Sequence, residues 1–278
     1  MELCNISVIK SILEEHGLKM QKALGQNFLI NPEVPRRIAA SVEEADTVLE
    51  IGPGIGCLTA ELCKVAKEVI AIELDRGLIP VLADTLSEFD NVTVINNDVL
   101  KVDLHSLLVD KGRVAVCANL PYYITTPILM YLIESGLDLA SITVMVQNEV
   151  AVRLASSAGS AEYGAVTVAV SAFGSVKKIL NVPAGNFYPA PKVDSAVIRI
   201  TPHEKPLCPP EYAERFRGVV RAAFAQRRKK LSNAICSVYP QISKEKLSDL
   251  LVEMGHTPDV RGERLTCEQF VRIATELL

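Results

Sequence analysis

The stretch Thr47–Leu62 reads TVLEIGPGIGCLTAEL. It opens as an apolar run of strand type, turns through Gly52, Gly54 and Gly56, and continues with helical spacing from Cys57. Glycines at such a turn let the backbone bend sharply and approach a ligand closely. The spacing is G-x-G-x-G, unlike the G-x-G-x-x-G of dinucleotide-binding folds, and the Lys and Ser/Thr of a P-loop are missing. Pyrophosphate binding is therefore not required. For this loop alone, a turn that merely joins strand to helix stays open.

Outward from this unit, strands and helices alternate. Upstream, residues 6–16 read as a short helix stopped by Gly17, and a second helix follows with Asn31 as N-cap and Pro32 at its first position. Downstream, predicted strands cover residues 68–74, 92–98, 113–120 and 140–147, with helices at 76–89, 126–136 and 148–157. Near-continuous apolar strands between helices predict an α/β fold, a parallel sheet with helices on both faces. Two further β-rich runs, AVTVAVSAF (165–173) and SAVIRI (195–200), lack a long helix between them and suggest an antiparallel pair at the sheet edge. The Pro-rich segment TPHEKPLCPPEY marks a boundary. Residues 1–202 form the sheet domain of this reading, and 203–278 a small all-α domain with periodic apolar positions.

The 278 residues, 49% hydrophobic and 22% charged, suffice for such a pair and describe an ordinary globular protein. No apolar run is long enough for a membrane span, and the N-terminus lacks the pattern of a signal peptide. A cytoplasmic protein is expected. Seven cysteines without C-x-x-C and four scattered histidines argue for reduced thiols and against a metal site. The net charge of −4 is unevenly spread: the first 202 residues carry −7 and the remainder +3. Between Arg215 and Lys230 stand seven basic residues and no acid.

The predicted strands end in chemistry. Glu73 closes the second, 21 residues after Gly52, where a carboxylate can accept both hydroxyls of a ribose. Asp98 closes the third, able to accept from an adenine amino group or to cap the next helix. Asn119 closes the fourth. In a doubly wound sheet these ends line one crevice. Glycine turn and three polar ends together suggest an adenosine-like cofactor without a phosphate cradle, which fits S-adenosylmethionine; NAD is the competitor.

Asn119 opens Asn-Leu-Pro-Tyr. An adenine amino nitrogen is a poor nucleophile because its lone pair is delocalised into the ring. Acceptors that hold its N–H groups favour a more tetrahedral nitrogen. The Asn119 side-chain carbonyl and a backbone carbonyl of Leu120–Pro121 supply two, with the proline fixing the local backbone. Tyr122 offers a face on which an extruded base can stack. A strand-end turn with packed aromatics is the plainer alternative, and Tyr123 is assigned to packing.

ALGQNFL, VLEIGPGIGCLT, AIELD, NND, NLPYYITTPIL, QNEVAVRL, YGAVTV, FYPAPKVDSAV and AFAQRRKKLSNAI run in order from residue 23 to 235. Together they resemble the bacterial ribosomal RNA adenine N6,N6-dimethyltransferase family, the kasugamycin-sensitivity type. The resemblance implies a Rossmann-like class I S-adenosylmethionine-dependent methyltransferase. Its implied substrate is two adjacent adenosines in the 3′-terminal hairpin of 16S rRNA, within the immature 30S subunit, each methylated twice. It also implies that Asn27 and Leu29 reach the cofactor, beside Gly52, Gly54, Glu73, Asp98 and Asn119, and that Phe187 is a second stacking residue opposite Tyr122. Two departures stand out. Asn148 replaces the Lys of Q-K-E-V, removing a positive charge near the RNA side, and Ala190 stands where Pro is frequent.

Arg221, Arg227, Arg228, Lys229 and Lys230 suit phosphates rather than base edges, the alternative being a solvated helix surface. Nothing suggests an obligate dimer, and a monomer is expected. Two further readings remain: a 23S rRNA adenine methyltransferase of the macrolide-resistance type, and a non-catalytic RNA-binding protein on the same fold.

Overall fold

The structure, a computed structural model, describes residues 2–21, 24–42, 45–226 and 228–277. The chain divides into two compact units, Met1–Ala151 with Lys177–Pro202, and Val152–Val176 with His203–Leu278.

In the first unit, α1 (Ile6–Glu15) is capped by Asn5 and precedes the short β1 (Phe28–Leu29) and α2 (Glu33–Ala39). α2 begins one residue later than the sequence predicts. Asn31 still serves its start, its Oδ1 accepting the Glu33 N–H at 3.0 Å. The alternation follows as β2 (Thr47–Ile51), α3 (Cys57–Cys63), β3 (Glu68–Glu73), α4 (Leu78–Thr85) and β4 (Val92–Asn96). After a short α5 (Leu104–Leu108), capped by Asp103 and not foreseen from the sequence, come β5 (Val114–Asn119), α6 (Thr125–Glu134) and β6 (Leu139–Gln147).

Beyond α7 (Asn148–Leu154) the structure corrects the sequence reading. The run 165–173 is a helix, α8 (Ala165–Phe173), and the strand is the next segment, β7 (Gly174–Val182). The alternating valines of 165–173 have strand propensity, but packing overrides it. Val168 joins the apolar core of the second unit, with Ala165 and Ala172 against it. β8 (Phe187–Tyr188) and β9 (Ser195–Pro202) complete the strands.

The main sheet has the order β4-β3-β2-β5-β6-β9-β7. β2 pairs in parallel with β3 and β5, and β6 with β5, whereas β9 is antiparallel to β6. Every residue of β2 is buried, as covering on both faces demands. Leu58 and Leu62 of α3, Val34 and Ile38 of α2, and Cys117, Met145 and Val197 of the sheet share one core. The order reverses between β2 and β5, so the carboxyl ends of these two strands flank the switch point where such sheets bind ligands. A separate two-stranded ladder pairs Phe28 with Tyr188 and Leu29 with Phe187.

The second unit holds α8, α9 (Ala213–Ala225), α10 (Leu231–Val238), α11 (Lys244–Glu253) and α12 (Cys267–Glu276) around Phe216, Leu231, Leu251 and Phe270. The sequence division at 202/203 coincides with one chain crossing between units, but Val152–Val176 lies with the helices. Tyr163 shows why: its ring is buried in their core and its hydroxyl donates to the Leu265 carbonyl at 2.9 Å. All seven cysteines are free thiols, five of them buried.

Candidate functional site

The carboxyl ends of β2, β3 and β5, together with β1 and the loops around them, line an open cleft. Asn27, Leu29, Gly52, Gly54, Glu73, Asp98, Asn119, Leu120, Pro121, Tyr122 and Phe187 all line it. The sheet topology thus brings together residues spread over 160 positions of the chain.

The glycine turn forms the floor. Gly52 has φ +71°, and a Cβ there would meet no protein atom within 4 Å, so the space beside it is open. Gly56 differs: its Cβ would lie 3.1 Å from Leu86 Cδ2, which makes it a packing glycine. Glu73 is 6% exposed and clamped by backbone, Oε2 accepting the Gly54 N–H at 3.1 Å and Oε1 the Asp75 N–H at 2.8 Å. Burial nevertheless raises its carboxyl above the ordinary range. Asp98 caps the short helical turn after β4, Oδ1 accepting the Leu100 N–H at 3.1 Å, while it also borders the cleft.

Sequence reasoning missed Glu50. This acid sits inside β2, 1% exposed, and its Oε2 has no hydrogen-bond partner. Burial pushes its carboxyl up to about 8, with the Glu73 charge adding to the shift. A lone acid within an apolar strand was the available signal.

The Asn119–Tyr123 loop forms one wall. Asn119 Nδ2 donates to the Asn27 carbonyl at 3.4 Å, which turns the amide oxygen away from that contact. The Pro121 carbonyl is already occupied by the Ile124 N–H and the Thr125 hydroxyl, both at 3.1 Å. The Tyr122 hydroxyl is 2.7 Å from Ser195 Oγ, an anchor set by the register that pairs Ser195 with Gln147 at the end of β6. Phe187 borders the cleft but is 3% exposed and packs in the core with Leu29 and Leu58. Tyr123 departs from its assignment to packing: it is 57% exposed and lines the same cleft.

Arg221, Arg228, Lys229 and Lys230 are exposed in the second unit, Arg221 on α9 and the others in the turn into α10. Lys230 pairs with Asp259. Arg227 lies outside the described residues. A cation also stands at Asn148, whose Oδ1 accepts from Lys178 Nζ of β7 at 2.7 Å. Among the described residues no cluster could hold a metal ion, and no helix is long and apolar enough to cross a membrane.

A family model described as "Ribosomal RNA adenine dimethylase" matches residues 17–277. Proteins named "Ribosomal RNA small subunit methyltransferase A" are similar throughout. That of Lachnoclostridium phytofermentans is 46% identical over 95% of this chain and 93% of its own length. That of Shouchella clausii is 46% identical over 96% and 93%. Among solved structures, a dimethyladenosine transferase from Plasmodium falciparum has a TM-score of 0.74 and 27% identity, covering 88% of this chain and 95% of that one. The 23S rRNA methyltransferase ErmE has a TM-score of 0.70 and 26% identity, covering 90% and 99%. With a doubly wound sheet, a glycine-floored cleft and an Asn-Leu-Pro-Tyr wall, and with a family match over nearly its whole length, this chain belongs to the ribosomal RNA adenine dimethylases.

Proposed function

We propose that this protein dimethylates N6 of two adjacent adenosines in the 3′-terminal hairpin of 16S rRNA, on the immature 30S subunit, acting as a cytoplasmic monomer with a part in subunit assembly. Its activity is that of an rRNA adenine dimethyltransferase, and its cofactor is S-adenosylmethionine. The observation that carries the adenine-methylating reading is the meeting of Glu73, the glycine turn and the Asn119–Tyr122 loop in one cleft.

The residues fit that cofactor. Glu73 retains lone pairs for ribose hydroxyls after its two backbone bonds, the open space at Gly52 admits a close ligand, and Asp98 has one oxygen outside its cap. Asn27 and Leu29 border the same space. When bound, the sulfonium supplies an already activated methyl group.

The chain then has to position the nucleophile. Asn119 Oδ1 accepts one N6–H of the target adenine. The second acceptor is the Leu120 carbonyl, since that of Pro121 is occupied. Held by these two acceptors, N6 would present its lone pair, rather than its N–H groups, to the methyl group that the cofactor would supply, and would give up its proton to solvent. Tyr122, anchored on Ser195, stacks on the base, and Phe187, which borders the same cleft, closes the opposite side. No metal ligand or strong base enters these steps.

Mass spectrometry of the 3′ end of 16S rRNA, from cells with and without the protein, tests the proposal. Four methyl groups on two adjacent adenosines should depend on it. Methyl incorporation confined to 23S rRNA would reject it in favour of the macrolide-resistance type.

A further inference from the structure

Tyr123 is the aromatic that the steps above leave unused. It follows Tyr122 directly, lines the mouth of the cleft, and keeps 57% of its surface in water. Its ring lies against the turn before β1, Cδ1 standing 3.8 Å from where a Cβ on Gly25 would be. That turn is in turn held by the bond from Asn119 to the Asn27 carbonyl. The ring is thus supported on one side and bare on the other. Among the described Tyr and Phe residues it is the one that is exposed.

Extrusion of a base from an RNA strand removes a stacking partner from its neighbour. An aromatic face at the mouth of the receiving slot can replace that partner. Tyr122 and Tyr123 are adjacent in the chain and both line the cleft, so a strand that delivers one base to Tyr122 passes its neighbouring base close to Tyr123. We propose that Tyr123 is a substrate-contact residue that stacks on the base next to the adenosine held by Tyr122, in this reaction a second adenine. The inference rests on the adenosine-methylating reading above.

The test compares Tyr123→Ala, Tyr123→Phe and Tyr123→Trp with the natural enzyme, on 30S particles lacking the modification. Loss of one base stack is expected to raise KM roughly tenfold for the Ala variant, with a much smaller fall in kcat. Phe and Trp restore KM, because the ring and not the hydroxyl makes the contact. The slope of log KM against log salt stays that of the natural enzyme, since no phosphate contact is lost. Calorimetry with S-adenosylmethionine gives an unchanged Kd. An unchanged KM in Tyr123→Ala overturns the proposal. So does a cofactor Kd that weakens in step with KM, which would make the ring a support for the turn before β1. Failure of Phe and Trp to restore KM overturns stacking as well. A natural enzyme that methylates no adenosine of the particle removes the underlying reading and this proposal together.

Discussion

At the scale of single residues, three substitutions separate chemistry from architecture. Asn119→Ala should cut methylation by two or more orders of magnitude while the thermal unfolding midpoint moves little, since the bond from its side chain to the Asn27 carbonyl is 3.4 Å long. Near-normal turnover would remove the residue from the mechanism. Gly52→Ala places a methyl group in open space at φ +71°, so the fold should lose only about 1 kcal/mol from backbone strain. Cofactor affinity should fall more than roughly tenfold, because the new methyl group occupies space the ligand needs; calorimetry and a melting curve read the two effects separately. Glu50 makes stability depend on pH. Its carboxyl is raised to about 8 by burial, so the folded protein holds a proton that the unfolded chain releases at ordinary carboxylate values. Its stabilising proton is fully in place below the unfolded value. Stability is then lost as pH rises toward 8, by on the order of 1.4 kcal/mol per pH unit from this group. Glu50→Gln should flatten that decline, as urea unfolding at about pH 5 and about pH 8 would show; identical slopes in the two proteins would mean that Glu50 is ionised in the fold.

At the scale of elements, the carboxyl ends of strands were legible because chemistry there breaks an apolar pattern: Glu73, Asp98 and Asn119 each follow such a run, and all three reach the cleft. Glu50 broke the pattern too, but in the middle of β2, where nothing in the spacing tells a functional acid from a tolerated one. The run 165–173, β-rich by its spacing, is a helix for a related reason. Val166, Val168 and Val170 at every second position satisfy a strand period, but Thr167, Val168 and Val170 are buried together on a helix, with Val168 in the core of the second unit. Charged Lys177 and Lys178 hid the true edge strand, β7, as charges commonly do on sheet edges. The anchoring of Tyr122 was also out of sight, since Ser195 reaches it through the antiparallel register of β9 on β6. The start of α2 offers a test at this scale. Asn31 accepts the Glu33 N–H and donates to Asn186 Oδ1 at 2.8 Å, tying the helix to the segment before β8. Asn31→Ala should therefore lower stability by about 1–2 kcal/mol in denaturant titration, the sum of a lost cap and a lost side-chain bond.

At the scale of the whole molecule, charge and connectivity carry the argument. The acidic first 202 residues and the basic remainder place the phosphate-suited groups on the helical unit, where Arg228 and Lys229 are exposed in the turn between α9 and α10. Arg228→Glu with Lys229→Glu should weaken binding to the subunit and lower the salt slope of log K by about 1–2, leaving the cofactor Kd as it was. Unchanged subunit affinity would assign these side chains to surface solvation. The chain passes between the two units three times, after Ala151, Val176 and Pro202. That interlacing bears on how such an enzyme can be taken apart or recombined. Scissors at Pro202 would strand Tyr163 and Val168 without the helices that shield them from water, leaving a sticky fragment instead of a smaller catalyst. A graft meant to exchange the helical unit must therefore carry Val152–Val176 along as well, an insertion and a tail exchanged as one piece.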